Sequence, residues 1–321
     1  MIGIKSPDRS AREEIEKEVE DIQKNAIYQQ IDNVIKILKL EGVEILTIND
    51  AIKKYSWIGK YIKKPLSGYF IRVRGVQKAP ISTCFLIETP NIKQHLTNVI
   101  VLEKNAKVTF RTLCAANRAN LSSVHTDYTK LILKENAEIR IEHLHRWGTR
   151  DFVSMALNVE MGKNSRLEYV YRSLESPKKL YSVTKGICEE NATAKILASV
   201  VTENSIIKIN DEFWLIGDKS SAVIKFRVAG REKGYAKTVS KIVAEGGNTK
   251  GHLDCQGLMI SENSELDMIP ELISRNKTAT LTHEASIGRI TEDVLTYLKA
   301  RGLTESSAID LIVAGFLATN V

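Results

Sequence analysis

The sequence predicts a mainly β protein: a parallel β-helix core flanked by helical N-terminal and C-terminal regions. From about residue 68 to 285, β-branched residues alternate with polar ones and helix signals are few. Within that stretch a turn motif recurs: an Asn, a small or polar residue, then an alternating strand. It reads KNAKVTF at 104–110, ENAEIRI at 135–141, KNSRLEY at 163–169, ENATAKI at 190–196 and ENSELDM at 262–268. Asn105, Asn136, Asn164 and Asn191 follow at spacings of 31, 28 and 27, and DKSSAVI at 218–224 keeps the rhythm without the Asn. A period of about 28 residues in strand-type sequence argues for stacked coils. A meandering antiparallel β-sandwich is the alternative, but it rarely keeps one turn motif in near-constant register. The expected organisation is a helical N-terminal region over 1–67, a β-helix core over 68–288 and a C-terminal helical hairpin over 289–321.

At the N-terminus, Ser10 with Glu13 reads as a capping box. Ile15, Val19, Ile22 and Ala26 then mark one face of a helix. Ile31, Val34, Ile35 and Leu38 suggest a second helical face ending near Gly42. Both stripes read as packing surfaces. In the core, offsets +3 and +5 from each Asn are Val108 and Phe110, Ile139 and Ile141, Leu167 and Tyr169, and Ala194 and Ile196. Offset +4 is Thr109, Arg140, Glu168 and Lys195. Strand side chains alternate faces, so odd offsets point into the coil. At the C-terminus, Thr291 with Glu292 and Asp293 suits a helix start. Gly302 suits its stop, and Thr304 suits the cap of a second helix carrying Ala308, Leu311, Ile312 and Phe316. The outer face of such a hairpin is suited to docking a partner.

The chain has 321 residues and a formal charge of +7. Aromatics are only 6% and do not interleave with basic residues, so the charge reads as a solvated surface and not as a nucleic-acid platform. MIGIKSPDRS lacks the apolar core of a signal peptide, and no stretch approaches the roughly 18 apolar residues of a membrane span. The expected location is the cytoplasm. Cys84, Cys114, Cys188 and Cys255 are dispersed, with no C-x-x-C, and read as free thiols. No phosphate loop, G-x-S-x-G elbow or H-E-x-x-H is present, so ATP chemistry must come from elsewhere.

Cys114 and His145 both lie nine residues after a motif Asn, so stacked coils make them vertical neighbours roughly 5 Å apart. His143, two residues earlier, shares their inward parity. Burying several polar groups costs stability unless they are paired, which points to a purpose. The plain reading is a thiol packing as a small hydrophobe beside hydrogen-bonded histidines. Cys255 and His283 show a similar relation, at Asn248 + 7 and Asn276 + 7. Glu284 is next, and on a regular strand it faces the opposite way unless the strand bulges. The plain reading there is a structural His–Glu pair near a helix start. Thiolate, imidazole and carboxylate together are a ligand set for iron or zinc. His252 and Asp254 are further candidates. Cys84 and Cys188 read as buried small residues, and His95 carries no signal.

The stretches GHLDCQGLMI at 251–260, ELISRN at 271–276 and LTHEASIGRI at 281–290, with VLTYLKARGL and AIDLIVAGF after them, resemble the SufB/SufD family of iron–sulfur cluster assembly proteins. The likeness is most specific over 251–317 and weaker from about 95 onward. It implies a right-handed parallel β-helix and a scaffold, not an enzyme, that accepts sulfur and iron and builds a transient iron–sulfur cluster at a subunit interface. It further implies work with a SufC-like ABC ATPase docked on the C-terminal helices, as a homodimer or a SufB/SufD-type heterodimer. Flavin use is left open. By resemblance, Cys114 is the sulfur acceptor; His125, His145 and Trp147 belong to a sulfur path; and Cys255, His283 and Glu284 are metal ligands. His145 stands where SufB carries Gln. Leu281 stands where SufD characteristically has Cys, so the chain looks closer to SufB. It stops soon after GF, where longer relatives continue, which suggests a reduced form serving both roles as a homodimer. Competing readings are an adaptor that docks the ATPase without holding a cluster, and a β-helix enzyme acting on polysaccharide, for which no clear outward row of acids is present.

Overall fold

The computed structural model describes residues 7–61, 67–117 and 121–318, with side chains described from residue 13. Among these residues, strands are dealt alternately to two sheets, one of 10 strands and one of 9. The first holds Ala26–Ile31, Val34–Ile37, Ile81–Ile87, Lys107–Ala116, Glu138–Arg146, Arg166–Glu175, Thr193–Glu203, Ser221–Arg231, Lys250–Met259 and Thr280–Arg289. The second holds Val43–Thr47, Tyr69–Val73, Lys93–Leu102, Val124–Leu133, Phe152–Met161, Lys179–Cys188, Ile206–Leu215, Tyr235–Ala244 and Glu265–Ser274. Pairing along both is parallel except in the N-terminal region, where Ala26–Ile31 pairs antiparallel with Val34–Ile37 and Val43–Thr47 with Tyr69–Val73. The result is a parallel β-solenoid of about seven turns.

The recurring Asn is the corner residue that makes this winding possible. Asn105, Asn136, Asn164 and Asn191 sit at φ 62°, 58°, 58° and 58°, a left-handed conformation that Asn tolerates better than most residues. Their side chains stack as a ladder. Asn136 Nδ2 donates to Asn105 Oδ1 at 2.9 Å, Asn164 to Asn136 at 3.0 Å and Asn191 to Asn164 at 2.7 Å. Lys219, at φ 60°, takes the corner in DKSSAVI. Asn263 of ENSELDM does not belong to the ladder: it precedes Glu265–Ser274, a strand of the second sheet, and so lies at the other corner.

The inward parity holds at every expected position. Val108, Phe110, Ile139, Ile141, Leu167, Tyr169, Ala194 and Ile196 are all buried in the one core between the sheets. The +4 residues face out and form charge ladders between coils, such as Lys195–Glu168–Arg140. Much of the surface charge is spent this way.

The N-terminal region departs from the expected all-helical reading: it holds three strands, Ala26–Ile31, Val34–Ile37 and Val43–Thr47, besides its helices. The first helix runs Pro7–Asn25, so Ser10 lies inside it and is not its cap; Pro is well suited to a first helical position. The expected second helix is a β-hairpin, because Ile31-Asp32-Asn33-Val34 makes a tight turn with Asp32 at φ 51° and Ile31 opposite Val34. Val19, Ile22 and Ala26 pack on Cys84, Leu86, Leu113 and Leu144, the outer face of the first sheet.

The C-terminal helices form as read. Thr291 precedes Glu292–Ala300, Gly302 sits at φ 91°, and Thr304 Oγ1 accepts from Ser307 N at the start of Glu305–Ala318. The second of these helices packs Val313 and Leu317 on Val201 and Ala229 of the first sheet. The first buries nothing and leaves Val294 and Tyr297 exposed.

Candidate functional site

The Cα register places His145 directly over Cys114 and His143 over Thr112. Cys114, His143 and His145 are all buried inside the coil, at 0%, 5% and 1% exposure. The sulfur is touched by the histidine diagonal to it: Cys114 Sγ lies 3.3 Å from His143 Nε2. The two imidazoles stand perpendicular, with centroids 4.4 Å apart. From the next coil, Tyr169 and Tyr171 hydroxyls meet His143 Nδ1 and His145 Nδ1, each at 2.9 Å. One ligand atom from each of Cys114, His143 and His145 lies within 4.8 Å of the others, the only such trio of His, Cys, Asp or Glu among the described residues.

His125 faces this cluster from the second sheet, its Nδ1–H held by Gln94 Oε1 at 2.8 Å. Trp147 packs its ring 4.8 Å from His125 and 5.7 Å from His145. His125 Nε2, His145 Nε2 and Trp147 Nε1 are buried with no hydrogen-bond partner among the described residues, a costly arrangement for three adjacent polar groups. Outside Trp147 a pocket of about 420 Å³ opens, lined in part by Glu16, Ala116, Arg146 and Gly148. On the inner side a cavity of about 30 Å³ is lined by Thr112, Asp127, Thr129, His143, Met155 and Tyr169, room for about one water.

Burial sets the charge state. It pushes the Cys114 thiol well above its ordinary range, with the Asp127 and Cys84 charges adding to the effect. It lowers His143 and His125 to about 3 and holds His145 well below the usual imidazole range, with the neighbouring His143 and His125 adding to the effect. It raises Asp127 to about 7, against hydrogen bonds from Thr129 and Asn98. At neutral pH this interior presents a neutral thiol against neutral imidazoles, a donor set that gains charge only when an electrophile or cation arrives.

The second expected stack does not form. Cys255 pairs with Ala285, and His283 pairs with Leu253. The coil here is 30 residues long, so the equivalent of Asn248 is Thr278 and not Asn276. Cys255 and His283 are therefore diagonal on adjacent strands, roughly 8 Å between Cα atoms from strand spacing and rise. Cys255 is fully buried, with its Sγ 3.7 Å from Ser240 Oγ, and burial raises its thiol. The strand Thr280–Arg289 keeps unbroken register with its neighbour. Without a bulge, His283 faces inward and Glu284 outward. Both are exposed, as Thr280–Arg289 is the edge strand of its sheet among the described residues. Asp254 is already engaged: burial works to raise its carboxyl, but paired bonds from Arg227 at 2.9 and 2.7 Å hold it below the usual carboxylate range. His252 Nδ1 contacts Thr282 Oγ1 at 2.8 Å on the exposed side.

The two thiols share one interior. Cys255, Phe226, Ala198, Tyr171, His143 and Thr112 form a single vertical column. On the second sheet Asn98, Thr129, Leu157, Thr184, Asp211 and Ser240 form another, whose Ser240 meets Cys255. Cys114 and Cys255 are five strand steps apart, roughly 24 Å. Sequence reasoning missed Tyr169, Tyr171, Asp127 and Asp211 as site residues. The usable signal was a tyrosine at an inward offset one coil after two inward histidines.

Comparison with known proteins agrees with this architecture. Residues 85–316 match the family model described as SUF system FeS cluster assembly, SufBD core domain. An iron–sulfur cluster assembly SufBD family protein of Archaeoglobus fulgidus is 29% identical over 98% of this chain and 90% of its own length. One from Methanothermobacter thermautotrophicus is 27% identical over 88% of this chain and 74% of its own. One from Pyrococcus horikoshii is 30% identical over 78% of this chain and 57% of its own. With a matched domain spanning most of the solenoid and relatives aligned along nearly the whole chain, the protein belongs to the SufBD family of iron–sulfur cluster assembly proteins.

Proposed function

We propose that this chain is a SufB-type scaffold that accepts sulfur in its interior and assembles a nascent cluster, its cargo, at the open end of the solenoid. The observation that carries the reading is the contact between Cys114 Sγ and His143 Nε2 behind Trp147. A neutral imidazole beside a neutral thiol can take the thiol proton as sulfur arrives. The Cys114 sulfur attacks the terminal sulfur of a donor persulfide; the donor's S–S bond breaks, the donor leaves as a thiolate, and Cys114 becomes the persulfide. His125, His145 and Trp147 line the approach from the surface pocket, with Trp147 closing it. Cys255 offers a thiolate, the usual ligand of iron–sulfur clusters, one coil beneath the open end. His283 shares its inner wall, and Glu284 serves a partner across the outer face. The partners we infer are a second copy or a SufD-type chain at the terminal strand, and an ABC-type ATPase on the exposed helix Glu292–Ala300, where Val294 and Tyr297 stand free of the core.

Anaerobic reconstitution with iron and sulfide tests the cluster role. Wild type should develop cluster absorbance and Cys255→Ala should lose most of it; equal absorbance in the two removes Cys255 as a ligand. The competing adaptor reading is favoured instead if the ATPase is captured through Tyr297 while no cluster forms on wild type.

A further inference from the structure

Cys114, His143 and His145 have the makings of a resident metal site, distinct from the cluster ligands assigned above. We propose that these three side chains bind one borderline divalent cation of the Zn(II) or Fe(II) type inside the solenoid, with a fourth position open to the adjoining cavity. The inference goes beyond the scaffold reading, since it uses none of Cys255, His283 or Glu284.

The donor set is one thiolate sulfur and two imidazole nitrogens, a combination that suits these cations. Zn–S and Zn–N distances of about 2.3 and 2.0 Å put tetrahedral ligand atoms roughly 3.5 Å apart. Cys114 Sγ to His143 Nε2 is already 3.3 Å, and the whole trio lies within 4.8 Å, so shifts of about an ångström complete the geometry. The supporting contacts are those a metal site requires. Ligating histidines ordinarily donate their other ring N–H to a fixed partner. Here Tyr169 and Tyr171 stand at the two Nδ1 atoms, each at 2.9 Å, and the tautomer that donates to them leaves a lone pair on each Nε2.

An independent observation points to a ligand. His145 Nε2 is fully buried and has no partner among the described residues, although its Nδ1 is held; in the tautomer that donates to Tyr171 its lone pair has nothing to accept from. A cation removes that deficit. Space and acidity are also provided: His143 lines the cavity of about 30 Å³, together with the Asp127 carboxyl and Met155. One small ligand fits there as the fourth donor. Access runs through the pocket outside Trp147, whose ring packs on His145. A bound cation holds Cys114 as a thiolate and occupies the sulfur acceptor, so metal loading and sulfur loading should exclude each other.

The test uses the full chain, stripped with chelator under reducing, anaerobic conditions and without sulfide. Co(II) is titrated as an optical reporter and then displaced with Zn(II). The expected result is about one Co(II) per chain, with a thiolate charge-transfer band and tetrahedral visible bands that vanish on adding Zn(II). Cys114→Ser, near-isosteric with the native residue, should abolish the charge-transfer band. Tyr171→Phe, which leaves all three ligands in place, should weaken affinity roughly 10–100-fold. Cys255→Ala should bind as wild type does. Thermal melting confirms that each variant is folded. Absence of the charge-transfer band in wild type overturns the proposal whatever the variants do, as does its persistence in Cys114→Ser. Because no sulfide is present, either result is independent of whether a cluster forms at Cys255.

Discussion

Asp211 stands inside the solenoid between Thr184 and Ser240, and its Oδ1 has no partner among the described residues. Burial lifts its pKa to about 7, against an unfolded value of about 3.9. Between those values the folded state keeps a proton that the unfolded chain has lost, so its contribution to stability falls as pH rises from about 4 to about 7 and is level above. Asp211→Asn should therefore stabilise the protein more at about pH 8 than at about pH 4, by a few kcal/mol. Urea unfolding at both pH values measures this, and identical effects at the two would refute it. The imidazoles act with the opposite sign. His125 and His143 titrate at about 3 when folded but near 6.5 when unfolded, so their contribution rises with pH across that window and acid strips it away. At this scale the sequence was partly legible. Offsets from the asparagines put Cys114 under His145, but not against His143, because the contact depends on how side chains lean along the strand. The Cys255–His283 stack was misread because a 30-residue coil moves the corner from Asn276 to Thr278, where no Asn marks it.

The asparagine ladder is the element whose sequence signature and structural role coincide most closely. Asn136 both donates to Asn105 and accepts from Asn164 while holding φ 58°. Asn136→Ala loses two hydrogen bonds and strains a left-handed corner, at a cost of about 2–3 kcal/mol. Asn136→Gly keeps the backbone free and should cost roughly half as much. Chemical denaturation of both variants separates the terms; if Ala and Gly cost the same, the corner conformation is not what Asn supplies. Conversely, Lys219 holds φ 60° with a side chain poorly suited to it, so Lys219→Asn should raise stability by about 1 kcal/mol, read as a higher unfolding midpoint. The hairpin after the first helix was illegible by the same kind of counting. Ile31, Val34, Ile35 and Leu38 fit a helical stripe by spacing alone. What decides for strands is the Asp32-Asn33 turn and the pairing of Ala26–Ile31 with Ile81–Ile87, a long-range contact that no local pattern contains.

The molecule as a whole has one end finished and one end open. At the first end the two sheets finish in short antiparallel pairs, the hairpin Ala26–Ile37 and the strand Val43–Thr47 on Tyr69–Val73. At the other, Thr280–Arg289 ends the first sheet with one edge unpaired and its side chains mostly exposed. His283, Ala285 and Ile287 share the inward parity of the coil beneath, and among the described residues no strand lies above them. Proteins rarely leave a ten-residue strand edge bare, and this one carries neither a proline nor a bulge to blunt it. A second solenoid end laid against it would cover the Ile287 side chain, now 45% exposed, and pair the free backbone groups. The chain should therefore sediment as a dimer at micromolar concentration. Ile287→Lys should shift it toward monomer by roughly tenfold or more in dissociation constant, for the loss from each copy of about half of the roughly 1.5–3 kcal/mol that full burial of such a side chain is worth. Because the side chain is exposed in the single chain, its melting as a monomer should hardly change. Sedimentation velocity on both proteins decides the matter: a wild type that stays monomeric, or a variant that dimerises equally well, would mean that the open end meets something other than its own copy.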